Sequence, residues 1–192
     1  MNGDIFNIGT DFQKWTLNLT HSTKEMKFVK SHTIKLRSLQ SIHDFCLAGD
    51  YIVIFECPMN LSYWGLLFSP TMFQTITFNE KLTKLVHIFK KSDFTHIRTI
   101  ETPSSYVFHF SNGCSFENKI LIQYCNYHPQ EAKQIFSLLE HMPQYANGSE
   151  REFEVVSHLE EMEIDLETGK FKITDLEGSA EFPVVEDHEV GK

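Results

Sequence analysis

No two of the four cysteines, Cys46, Cys57, Cys114 and Cys125, stand at C-x-x-C spacing, which removes a zinc ribbon from consideration. Each lies in or beside an apolar run, where free cysteine behaves as a small buried hydrophobe, and a reducing, cytoplasmic setting is expected. Positive charge is scarce as well: 17 Lys and Arg against 26 Asp and Glu leave a formal net charge of -9. Binding a phosphate backbone needs clustered Lys and Arg, so no nucleic-acid partner is expected. No apolar run is long enough for a membrane-spanning helix, and residues 1–12 carry neither a basic nor an apolar leader segment. On that reading the sequons at Asn18, Asn60 and Asn147 are silent.

What is present is an ordinary globular composition. Hydrophobic residues make up 41% and charged residues 22% of 192, which excludes a disordered chain and suits a single domain over residues 1–192. The 17 phenylalanines suit a β-rich fold with an apolar interior. The acidity gathers in residues 150–167 and 177–189 and reads as a solvated surface.

Along the chain, residues 3–19 read as two short strands around a turn at Gly9-Thr10, and residues 24–39 continue with patchy alternation. This strand–turn–strand texture fits the blades of a propeller. Residues 51–55, Tyr-Ile-Val-Ile-Phe, form a β-branched and aromatic run after the Ala48-Gly49-Asp50 turn, and residues 83–91 predict another strand. One helix is expected over residues 129–142, started by Pro129, striped by Ala132, Ile135, Phe136, Leu139 and Met142, and ended by Pro143. Residues 153–158 read as a strand, and residues 162–173 as a hairpin turning at Glu167-Thr168-Gly169-Lys170. His21 and His32 have no partners at ligand spacing and are expected at the surface, while His87 and His96 match no ligand position and are expected to be structural or exposed.

Two stretches say more by resemblance. Residues 41–58, SIHDFCLAGDYIVIFECP, place His43-Asp44 ahead of a turn and a Tyr-Ile-Val-x-Phe strand that ends near Pro58. Residues 106–125 carry Phe108-His109-Phe110-Ser111-Asn112 before an aliphatic strand, and Ala180-Glu181-Phe182-Pro183 follows later. In that order these segments resemble the carotenoid cleavage oxygenases, the retinal pigment epithelial membrane protein family. The residues after Asn112 depart from the family pattern: Gly113-Cys114-Ser115 stand where a small residue, an aromatic and an acid are usual.

The resemblance implies an all-β fold, an incomplete run of a few blades from a seven-bladed propeller with one inserted short helix. It implies that His43 and His109 are two of four histidines on one Fe(II), and that Glu181 orients His109 from behind. The implied chemistry is cleavage of a conjugated double bond in a carotenoid, apocarotenoid or related polyene by O2. Tyr63, Trp64, Leu66, Leu67 and Phe68 would form an apolar patch dipping into a membrane surface beside the substrate entrance. Only the middle of the family's domain is covered, so a chain alone would be weakly active or inactive unless other polypeptides supply the missing blades. The competing reading is a non-catalytic, β-rich remnant that binds an apolar ligand, a membrane or another chain.

Overall fold

The structure is a computed structural model that describes residues 3–38, 40, 42–69, 72–145, 155–186 and 188–191; the side chains of residues 63, 66, 72, 73 and 141–145 lie outside that description. Three antiparallel sheets follow one another along the chain. The first is a meander of β1 (Ile5–Asp11), β2 (Thr16–Ser22) and β3 (Phe28–Lys35). The second orders β4 (Cys46–Ala48), β5 (Tyr51–Glu56), β8 (Lys84–Lys90) and β9 (His96–Thr102) side by side. A small hairpin of β6 (Met59–Leu61) and β7 (Ile76–Phe78) is inserted between β5 and β8. The third sheet is the meander β10 (Tyr106–Phe116), β11 (Lys119–Tyr127), β12 (His158–Asp165) and β13 (Phe171–Asp175). None closes on itself. Successive antiparallel meanders stacked face to face are propeller blades, and these form an open run of them.

The second sheet is buried on both faces, which explains its uninterrupted apolar sequence. Side chains alternate across a strand, so β5 sends Ile52 and Ile54 to a cluster shared with Leu17, Leu19 and Ile34 of the first sheet. Its Val53 and Phe55 join Ile120, Ile122 and Tyr124 of the third. Each such fully buried side chain stabilises the fold by about 1.5–3 kcal/mol relative to exposure.

β4 and β10, the first strands of consecutive sheets, lie against each other. The Cys46 thiol is 3.7 Å from the Asn112 carbonyl oxygen. A Cβ on Gly113 would collide with Cys46 Sγ and stand 3.2 Å from the Ala48 Cβ, so only glycine permits this approach.

Several expectations shift in the structure. The first turn is not at Gly9, which pairs with Asn18 inside β1. It falls at residues 12–15, where Asp11 Oδ1 accepts the N–H groups of Gln13 and Lys14 at 3.0 Å and Trp15 takes a φ of 57°. The long helix α2 (Pro129–Tyr145) runs through Pro143, which removes one donor near the helix end without stopping it. A second helix, α1 (Tyr63–Phe68), is capped by Ser62 and followed by a 3-10 turn at Met72–Thr75. The last hairpin begins at His158, earlier than residue 162; of the strand expected over residues 153–158, residues 155–157 are not strand and residues 153–154 lie outside the described residues. Nor is the acidic region wholly solvated. Glu160, 5% exposed, accepts from Tyr124 and Asn126 at 2.9 Å each.

Candidate metal corner

His43 sits in the irregular residues just before β4, and its neighbour fixes it there. The Asp44 carboxylate accepts the N–H of Phe45 at 2.8 Å and that of Phe110 in β10 at 3.2 Å, stapling the approach to β4 onto the third sheet. His109 is aimed by a bulge. Val107 pairs with Asn126 and Phe110 with Tyr124, so Phe108 and His109 together face Cys125 alone. An extra residue of this kind bends the strand and re-aims its side chains. The two imidazoles end 5.1 Å apart between ring centroids, at 82° to one another.

Glu181 reaches this corner from the irregular chain after β13, within the acidic stretch that read as a solvated surface. Ser157 Oγ donates to the Ala180 carbonyl, and the Leu159 N–H donates to Gly178 at 3.0 Å, tying that segment to β12. Further on, the Gly191 N–H donates to Asn112 Oδ1 at 2.9 Å, and Asn112 Nδ2 donates to the Glu189 carbonyl at 3.1 Å. Glu181 Oε2 thereby meets His109 Nδ1. A carboxylate only accepts, so in the neutral ring Nδ1 carries the proton and Nε2 keeps its lone pair. Phe182, at a φ of 52°, lays its ring 4.4 Å from His109. Burial, and then Glu181, push the Tyr127 phenol up, so it stays protonated beside that carboxylate.

Other described histidines are engaged or exposed away from this pair. His87 uses both nitrogens, Nδ1 with Thr99 Oγ1 and Nε2 with Glu56 Oε2, each at 2.9 Å. His96 bonds Thr99, and His188 is exposed between Glu186 and Glu189. His32 is exposed as expected, whereas His21 is partly buried, stacked 4.6 Å from Phe6 and paired with Asp4. Cys46 is pushed up to about 12 by burial and then by Asp44, and burial pushes Cys57 and Cys125 up to about 11. None of these three offers a thiolate near neutral pH.

Two imidazole nitrogens and no thiolate are a donor set suited to Fe(II) or another first-row divalent cation. The ring separation leaves room for one cation at bonds of about 2 Å to each. The residues therefore fit such an ion in part. Among the described residues no three His, Cys, Asp or Glu converge to hold a metal, so His43 and His109 make one corner of a coordination sphere. Sequence reasoning missed Phe182, Tyr127 and the staple by Asp44, because each acts through a contact between segments remote in sequence. The odd Gly113-Cys114-Ser115 was a usable signal: Gly113 is what brings β4 and β10 together.

The apolar segment forms α1. Trp64 is 70%, Leu67 60% and Phe68 80% exposed, while the side chains of Tyr63 and Leu66 lie outside those described.

The family model described as "Retinal pigment epithelial membrane protein" matches residues 1–192. No curated protein matches the chain. Among solved structures, an ACO/RPE65 chimera superposes with a TM-score of 0.75 at 19% identity, over 97% of this chain and 38% of the other. Cobalt-substituted Synechocystis ACO gives 0.73 at 17%, again over 97% and 38%. A tryptophan-to-alanine variant of Synechocystis apocarotenoid oxygenase gives 0.74 at 18%, over 98% and 38%. At these identities the likeness carries the fold, and the chain spans 38% of the length of each of these structures. By its fold and by a family match along its whole length, the chain belongs to the retinal pigment epithelial membrane protein family.

Proposed function

We propose that this chain contributes two of the histidine ligands, His43 and His109, to an Fe(II) centre that cleaves a conjugated double bond of a carotenoid, apocarotenoid or related polyene with O2. The observation that carries the reading is the His109 ring. Its Nδ1 is held by Glu181, its Nε2 makes no hydrogen bond among the described residues, and His43 stands 5.1 Å away. When bound, ferrous iron would supply the oxygen chemistry by which one C=C bond and one O2 become two carbonyl groups. The chain's own residues act on position: Glu181 holds the Nδ1 proton, Asp44 fixes the His43 approach, and Phe182 and Phe108 give the corner apolar walls. Two ligands hold iron weakly, so turnover requires polypeptide that supplies further ligands and blades.

The exposed Trp64, Leu67 and Phe68 support a second element of the proposal, peripheral contact with a membrane from which an apolar polyene would be drawn. Anaerobic Fe(II) titration tests the first element. Iron retained by the wild type and lost in a His43→Ala, His109→Ala double variant is the expected result. Equal retention, or none in either protein, removes the metal reading and leaves the non-catalytic remnant. Vesicle flotation of wild type against Trp64→Ser, Phe68→Ser tests the second.

A further inference from the structure

The carboxylate behind His109 is only half used. Glu181 Oε2 takes His109 Nδ1 and, at 3.3 Å, the N–H of Phe182. Glu181 Oε1 is buried and accepts no hydrogen bond from the described residues. An ionised carboxylate accepts through both oxygens, and one buried without a donor loses its hydration uncompensated. A carboxylate held through one oxygen also pivots about that contact, and the Nδ1 proton of His109 follows it.

One donor stands beside it. Tyr127, at the end of β11, is 4% exposed, and its phenol is within hydrogen-bond reach of two side chains, Glu181 and Ser157. Ser157 Oγ gives its own proton to the Ala180 carbonyl, so toward the phenol it can only accept. The phenol has one proton and two acceptors to choose from, and the charged one binds it more strongly. Its ring is set for that choice. The bulge that aims His109 also carries Phe108, which meets the Tyr127 ring edge-on at 5.7 Å and 89°. Tyr106, opposite Tyr127 in the ladder, interacts with Glu181 through charge alone.

We propose that Tyr127 is a positioning residue for this corner: its O–H donates to Glu181 Oε1, fixes the plane of that carboxylate, and so holds His109 with the proton on Nδ1 and the lone pair on Nε2. Tyr127 of β11, Glu181 after β13 and His109 of β10 then form one hydrogen-bonded chain across three segments. Partners behind a metal-binding histidine set its tautomer and its basicity, and a phenol behind the carboxylate extends that control by one more group. The inference rests on the reading of His109 as a metal ligand and adds the residue that keeps its tautomer.

The test is histidine-ring 15N NMR on the metal-free full chain, with neutral imidazoles, comparing wild type with Tyr127→Phe, which keeps the ring and removes the hydroxyl. Wild-type His109 should show the Nδ1-protonated tautomer. Tyr127→Phe should raise its Nε2-protonated fraction several-fold and leave His87, bonded at both nitrogens, unchanged. Co(II) affinity should fall by up to about tenfold, and Tyr127→Phe should add nothing in a Glu181→Gln background. An unchanged His109 tautomer overturns the inference, as does an equal loss of affinity with and without the Glu181 carboxylate. The same tautomer shift in Tyr106→Phe would overturn it too, because the effect would then belong to the aromatic cluster and not to one donor. The tautomer is read without metal, so a wild type that binds no Co(II) removes the metal reading and still leaves this one decided by the spectrum.

Discussion

Two histidine–carboxylate pairs in this molecule have the same partners and opposite uses. In His87–Glu56 the side chains are 10% and 1% exposed, both ring nitrogens are bonded, and Glu56 also accepts the Arg37 N–H at 2.6 Å and Gln40 Nε2 at 3.2 Å. In His109–Glu181 they are 19% and 25% exposed, and only Nδ1 is engaged. A saturated imidazole inside a sheet can only hold structure. One held on a single nitrogen at a sheet mouth, facing a second histidine, has a lone pair to offer. The carboxylate is common to both, so the second nitrogen separates the roles.

The sharpest way to break that comparison is to remove each imidazole. His87→Ala leaves Glu56 buried without its ring partner and should cost about 3 kcal/mol or more, read by chemical denaturation, with iron retention unchanged. His109→Ala, at the more open pair, should cost about 1 kcal/mol or less on the same scale and abolish iron retention. Equal stability losses would erase the distinction.

A buried cation extends the contrast. Lys84 is 1% exposed, donates to Ser105 Oγ at 2.7 Å, and lies 4.7 Å from the Phe55 ring centroid. Burial lowers its amine from 10.5 to about 8, opposed by Cys57 and Glu160. The unfolded chain therefore holds this proton more tightly. The resulting penalty is full below pH 8 and is relieved as pH rises from about 8 to 10.5, a change of roughly 3 kcal/mol. Buried thiols titrate in the opposite sense, so the readout is the difference between wild type and Lys84→Met. That difference should move in favour of the wild type by up to roughly 3 kcal/mol across this window.

Gly113→Ala should be smaller in stability, about 1–3 kcal/mol from overpacking against Cys46, but should part β4 from β10 and weaken iron retention. Glu181→Gln should be the mildest on stability, within about 1 kcal/mol, while lowering divalent-metal affinity roughly 10–100-fold in a Co(II) titration. Glu56→Gln should show the reverse pattern, losing stability and leaving the metal untouched.

The sequence by itself determined the β-rich blades, because strands buried on both faces must be written as unbroken apolar runs such as residues 51–55. Resemblance to the family marked both histidine segments, although His43 precedes a turn and strand whereas His109 lies within β10 itself. Tertiary structure alone decided the rest. Whether Glu181 is a solvated acid or the partner of His109 depends on a contact 72 residues apart, and no local pattern encodes it. The bulge that aims His109 is visible only once β10 is paired with β11, because register is a property of two strands. Burial separates His87 from His109 in the same way: each is a histidine in a strand of aromatics and aliphatics, and only the fold determines which ring keeps a nitrogen to spare.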